Sequence, residues 1–190
     1  MARKIEKWKD GVFPGKENIF SKYSDLTARE LVIVAGATFD IALVEMIELR
    51  LIEDTKEQES FIGINGDGRA PVGAFGARIQ LAFLLGILRK EDVDIFRAIK
   101  NLRNIFAHKV EATFLSDDVV KELKKLNYAW RKQGFRIRGE KVMAKTKDHL
   151  GDDIGVIPEA GEGLLLAVFA VHQSYLHGLS DKITRIKKIS

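Results

Sequence analysis

An arginine and a histidine stand five positions apart in Arg103-Asn-Ile-Phe-Ala-His108. Together these residue types can work on a phosphate. Histidine ordinarily titrates near neutrality and can move a proton, while an arginine fork holds and neutralises a phosphoryl oxygen. Metal-independent cleavage of RNA is the reaction such a pair would serve, with Asn104 as an assisting polar group. On an ideal helix the two side chains project about 140° apart. They cooperate only if the helix ends near Ala107 or if two subunits share one site. The plainer role for His108 is to cap the last carbonyls of its helix, where the dipole favours a cation.

Asp40 lies in the middle of an apolar stripe formed by Ile33, Ala37, Val44, Ile47 and Leu51. An unpaired carboxylate there is costly, so it is expected to have a cationic partner. Arg103 falls within the arc shared by Phe96, Ile99 and Phe106, and Arg78 flanks Ile79 and Ala82. Either guanidinium suits a buried carboxylate, giving an ion pair among Asp40, Arg78 and Arg103 that fixes helix register.

Between Lys121 and Lys147 stand ten Lys/Arg residues against two acids, Glu122 and Glu140. This segment carries +8, so a chain of net charge +4 leaves −4 for its remainder. Tyr128, Trp130 and Phe135 are interleaved with the cations. Arg131, Lys132, Arg136, Arg138, Lys141 and Lys145 are the residues expected to track a nucleic-acid backbone, with aromatics available to stack on bases. The alternative is a solvated amphipathic helix and hairpin, with Phe135 and Ile137 packed on the body of the protein.

These residues need elements to hold them. Thr27-Ala-Arg-Glu30 has the form of a capping box, and from there to about Asp54 only Gly36 interrupts a helical pattern. Two apolar stripes, the one around Asp40 and a second through Leu31, Ala35, Ala42 and Leu49, make that helix central and largely buried. Further helices are expected over 72–88, 91–108, 116–132 and 162–179. Ser116-Asp-Asp supplies a cap and acids for the first turn of the fourth. After Gly134 the period changes to two, and Phe135-Arg-Ile-Arg138, Gly139-Glu140, Lys141-Val-Met-Ala144 reads as a hairpin with a II′-type turn. The expected fold is mainly α: a bundle of about five helices with one short β-hairpin near 135–144. Residues 1–24 form a polar basic lead-in and 25–180 a single helical domain carrying the basic insertion 121–147. A basic tail, 181–190, follows.

Composition removes several classes. The chain has no cysteine, which excludes disulfides, thiolate metal sites and a cysteine nucleophile. The histidines His149, His172 and His177 form no metal-binding spacing, and His149 with Asp152 and Asp153 reads as a solvated loop. The glycines of 63–73 lack the lysine of a phosphate-binding loop. No metal and no cofactor are expected. No apolar targeting segment is visible, and the apolar runs 31–37 and 81–88 are far shorter than the roughly 18–20 residues of a membrane span. A cytoplasmic protein with no membrane partner is expected.

Three blocks occur in order: Ile33-Val-Ala-Gly-Ala-Thr-Phe-Asp40-Ile-Ala-Leu-Val-Glu45, Phe75-Gly-Ala-Arg78-Ile-Gln-Leu-Ala-Phe-Leu-Leu-Gly86-Ile-Leu, and Arg103-Asn-Ile-Phe-Ala-His108. Together, over about residues 27–130, they resemble the mannitol operon repressor family of small helical bacterial proteins. That resemblance implies a helical regulator without an evident DNA-binding motif of its own, acting through nucleic acid or a DNA-binding partner protein. The third block is also similar to the R-x4-6-H signature of HEPN domains. These are helical, commonly dimeric proteins that include metal-independent ribonucleases and inactive members. The HEPN likeness implies a homodimer and, in active members, catalysis by the positions of Arg103, Asn104 and His108. The sequence thus leads to a regulator that binds a macromolecule, and second to a ribonuclease.

Overall fold

The structure, a computed structural model, describes residues 26–63, 69–138, 141–144 and 165, with 135–138 and 141–144 as backbone. Thr27 opens the first helix, α1 (Ala28–Arg50), through the capping box its sequence spells. The Thr27 N–H donates to the Glu30 carboxylate at 2.8 Å, and the Glu30 N–H donates to the Thr27 hydroxyl at 3.3 Å. Hydrogen bonds from the Thr27 backbone and side chain hold the Glu30 carboxyl below its ordinary pKa. The helix is largely buried, but its deepest line runs through Phe39, Leu43 and Met46. Ile33 and Ala37 of the expected stripe lie half-buried at its edge.

The first helix stops at Arg50 rather than near Asp54 because Asp54 is itself a cap. Its carboxylate accepts the Glu57 N–H at 3.1 Å and starts α2 (Thr55–Ile62), a short helix absent from the sequence reading. The third helix, α3 (Phe75–Leu84), is also shorter than the expected 72–88. Gly86 adopts φ 68°, and the N–H groups of Ile87 and Leu88 turn back to the Ala82 carbonyl at 2.8 and 3.2 Å. This glycine-dependent closure ends the helix inside the apolar block.

Next comes α4 (Lys90–His108), the hub of the bundle, which packs against α1, α3 and α5 (Asp117–Lys132). Its face of Ile95, Phe96, Ile99, Leu102 and Phe106 is fully buried, as its periodicity predicts. Phe96 meets Phe39 of α1 with ring centroids 5.0 Å apart, and Phe106 meets Phe114 at 5.8 Å. From α5, Val119, Leu123, Leu126 and Trp130 close the core. Burying each such side chain contributes on the order of 1.5–3 kcal/mol. A buried carboxylate locks the two ends of this pair. Asp92, wholly inaccessible at the start of α4, accepts from the Arg89 N–H at 3.0 Å, the Arg89 guanidinium, and Gln133 Nε2 at 2.9 Å just past α5.

Two strands follow, β1 (Phe135–Arg138) and β2 (Lys141–Ala144). They pair antiparallel with Phe135 opposite Ala144 and Arg138 opposite Lys141. The expected turn at Gly139-Glu140 lies outside the described residues. So do the lead-in 1–24, the tail 181–190 and the expected helix 162–179, apart from Leu165. That residue is helical and fully buried in the same core. The protein is mainly α, a helical bundle. No helix among the described residues is long and apolar enough to cross a membrane.

Candidate functional site

Asp40, Arg78 and Arg103 converge from three helices, but the two arginines are held very differently. Arg78 is 8% exposed. Its Nη1 donates to Asp40 Oδ1 at 2.7 Å, its Nε to the Val72 carbonyl at 3.0 Å, and its Nη2 to the Ile62 and Gly63 carbonyls at 3.0 and 3.4 Å. The guanidinium therefore ties α1, the end of α2 and the entry to α3 around one centre. Arg103 reaches the same carboxylate from α4, but its Nη1 stays 3.9 Å from Asp40 Oδ2, beyond hydrogen-bond distance. Its aliphatic stem lies directly on Gly36. A Cβ at that position would come within 2.8 Å of Arg103 Cδ and 3.1 Å of its Cβ and Cγ.

The helix carrying Arg103 continues through His108, so the early ending at Ala107 that would bring the two side chains together does not occur. Within one chain they project about 140° apart. A different residue bonds one last-turn carbonyl and two just past the helix end. Arg29, in the first turn of α1, donates to the Phe106 carbonyl and, at 2.6 Å each, to those of Lys109 and Val110. Its guanidinium also stands 6.0 Å from the Phe106 ring centre. The His108 side chain is exposed, with no hydrogen bond or ion pair to a described residue. Asn104 is also exposed.

The basic segment has a distinct face. Lys121, Lys125, Tyr128 and Lys132 are all exposed, and their spacing of four, three and four residues draws a straight line along α5. The line is about 16 Å long at 1.5 Å per residue, and Lys124 lies beside it, also exposed. Tyr128 is 64% exposed, with Lys132 Nζ 4.5 Å from its ring centre. Trp130 points into the core instead and offers nothing to a ligand. Arg131 is half-buried. Glu122, one of the two acids counted against this segment, is buried. It accepts from Asn101 Nδ2 at 3.0 Å and Lys125 Nζ at 2.6 Å. The exposed line therefore carries no carboxylate of its own between 121 and 132. The side chains of Arg136, Arg138, Lys141 and Lys145 lie outside the described residues, though the β1 backbone continues directly from α5.

At the other end of α5, Lys109 Nζ bonds Asp118 Oδ2 at 2.5 Å, and this hydrogen bond holds the Asp118 carboxyl below its ordinary pKa. Sequence reasoning missed Arg29, Asp92 and the inward turn of Glu122. A capping arginine distant in sequence and a tertiary carboxylate leave no local pattern to read. It counted Lys121, Lys124 and Lys125 only as charge. Among the described residues no three His, Asp or Glu side chains gather as metal ligands. The chain matches no family model, no curated protein and no solved structure.

Proposed function

We propose that the protein is a regulator, of the kind its resemblance to the mannitol operon repressor family implies, and that it acts by holding nucleic acid on the basic face of α5. The observation that carries this reading is the exposed line of Lys121, Lys125, Tyr128 and Lys132, flanked by Lys124 and without an exposed carboxylate between 121 and 132. Lys125 is paired with the inward-turned Glu122 and Asp117 lies one turn before Lys121, so the attraction for a polyanion rests on the remaining cations, Lys121, Lys124 and Lys132. Tyr128 adds a stacking surface that serves any base. Residues 135–147 extend the same charge in sequence.

Fluorescence anisotropy with labelled single- and double-stranded oligonucleotides tests the proposal. Lys121→Ala, Lys124→Ala and Lys125→Ala combined should weaken binding at least tenfold. Tyr128→Ala should cost about 1–3 kcal/mol on single strands and little on duplex. Equal affinity in wild type and the triple variant would remove the site from α5.

One observation favours a second reading, a metal-independent ribonuclease of the HEPN type. The His108 imidazole is exposed and makes no hydrogen bond or ion pair with a described residue. Because Arg103 and His108 diverge on one helix, this reading requires a site shared by two chains, and thus a homodimer. Wild-type cleavage of RNA in EDTA, lost in folded His108→Ala and Arg103→Ala variants, would support it. Intact RNA under those conditions would end it.

A further inference from the structure

The helix α3 is apolar on both of its sides. Its inner side buries Phe75, Ile79 and Ala82, with the Arg78 donors taken by Asp40 and backbone carbonyls. Its outer side carries Gly76, Ala77, Gln80, Phe83 and Leu84, which project within about 60° of Gln80 on an ideal helix. Phe83 is 42% exposed and Leu84 70% exposed. Between Ala70 and Leu88 the only charged residue in the sequence is Arg78, and it faces inward. The outer sides of the neighbouring helices differ, with Glu91, Asp94 and Arg97 on α4 and the lysine line on α5. A helix without charge on its outer side is built to meet a second apolar surface.

We propose that α3 is a self-association face, on which a second copy of this chain docks antiparallel across a two-fold axis at Gln80. The residues are disposed evenly about that position. Small Gly76 and Ala77 lie four and three residues before it, and bulky Phe83 and Leu84 lie three and four residues after it. Turned end for end, each copy lays its Phe83 and Leu84 over the glycine and alanine of the other, the self-complementarity that a two-fold contact demands. Gln80 is exposed and makes no hydrogen bond with a described residue. Its amide both donates and accepts, so on the axis it pairs with its own copy. An uncharged face meets itself without like-charge repulsion, which the lysine line of α5 does not. Lys100 borders the face at Gly76, where a Cβ would sit 3.6 Å from its Cδ, and the two-fold sets the two lysines on opposite sides of the axis. The ten residues of α3 span about 15 Å. One such helix face falls short of the roughly 800 Å² per partner of a stable complex, so the dimer is weak and concentration-dependent. Lys100, facing α3, and Asn101, bonded to Glu122 of α5, project about 100° apart on α4. The docking face and the basic line therefore lie on different sides of α4, and the proposal does not depend on the α5 reading.

Sedimentation velocity of the full chain, from micromolar to millimolar concentration, tests it. Wild type should shift from monomer towards dimer, and Leu84→Glu should weaken association about tenfold or more. Gln80→Glu and Gln80→Lys should each weaken it similarly by bringing like charges together on the axis. An equimolar mixture of those two variants should regain association, because opposite charges then meet there. Lys121→Ala and Lys124→Ala combined should associate as wild type does. Gln80 and Leu84 are exposed, so these variants should keep the wild-type circular dichroism spectrum. A wild type that stays monomeric throughout overturns the proposal, as does association unaffected by Leu84→Glu. So does a mixture of the Gln80 variants that associates no better than either alone. A monomeric wild type whose thermal stability falls in Leu84→Glu also overturns it, and assigns the face to other residues of the same chain.

Discussion

The junction around Asp40 and the outer face of α5 are both rich in cations, and they use them in opposite ways. At the junction each Arg78 donor group has a protein acceptor, either the Asp40 carboxylate or the carbonyls that end α2 and lead into α3. Along α5 the cations Lys121 and Lys124 are exposed and make no ion pair with a described residue. Lys132 leans on an exposed tyrosine. A charge whose hydrogen bonds are satisfied inside the fold contributes to the fold, and one left to solvent is available to a partner. Arg103 stands between the two cases, buried along its stem and open at its tip, which is why the same residue fits both an ion-pair and a ligand reading.

Breaking the junction should have the largest effect. Arg78→Ala leaves Asp40 and the carbonyls of Ile62 and Val72 without their donor, and should cost about 3–5 kcal/mol in urea denaturation. Arg78→Lys should recover little of that loss, since one ammonium cannot replace a fork serving four acceptors. Gly36→Ala comes next. Its Cβ would press on the Cβ, Cγ and Cδ of Arg103, close to the α4 backbone rather than at a flexible tip. Such overpacking costs about 1–3 kcal/mol. A stability change within about 0.5 kcal/mol for either variant would show that the junction does not register the helices.

The contrast also explains what could be read from the chain. The buried face of α4 is written in local spacing, Ile95 to Phe106, and so is the Thr27–Glu30 box. Asp40 stands out because a carboxylate in an apolar stripe demands a partner, and three helices meet where that demand is answered. Asp54 carries no such conflict. Its capping role begins a second helix without disturbing the apolar pattern, so periodicity alone carries the first helix on to about Asp54 and does not show the stop at Arg50. The early end of α3 depends on Gly86 entering a left-handed conformation, which its neighbours Leu85 and Ile87 do not announce. Arg29 and Asp92 act across long sequence separations, where spacing offers no signal. The α5 line was legible as a charge excess, but not as a face, until Glu122 and Trp130 were seen to turn inward.

Smaller effects sharpen the comparison from the other side. Combined Lys121→Ala and Lys124→Ala should change stability by no more than about 1 kcal/mol, since exposed charges without an ion-pair partner among the described residues contribute little to folding. A loss comparable with that of Arg78→Ala would make the α5 cations structural and erase the distinction. The smallest expected effect is a pH dependence at the Lys109–Asp118 contact. The folded-state pKa of Asp118 lies below its ordinary value of 3.8, so its contribution is present above that value and is lost as pH falls through the folded one. Acid titration of stability should therefore be slightly shallower in Asp118→Asn than in wild type. Identical curves would show that this exposed pair does not contribute.

The central claim is that exposed cations on α5 contact a nucleic-acid backbone, and the salt dependence of binding tests it most directly. Plotting log K against log salt for wild type and for the combined Lys121, Lys124 and Lys125 variant reads the number of phosphate contacts. The slope should become shallower by about 2–3 for duplex DNA, or somewhat less for a single strand, as three contacts are lost. Parallel lines for the two proteins would contradict the claim, because the three lysines would then neutralise no phosphate.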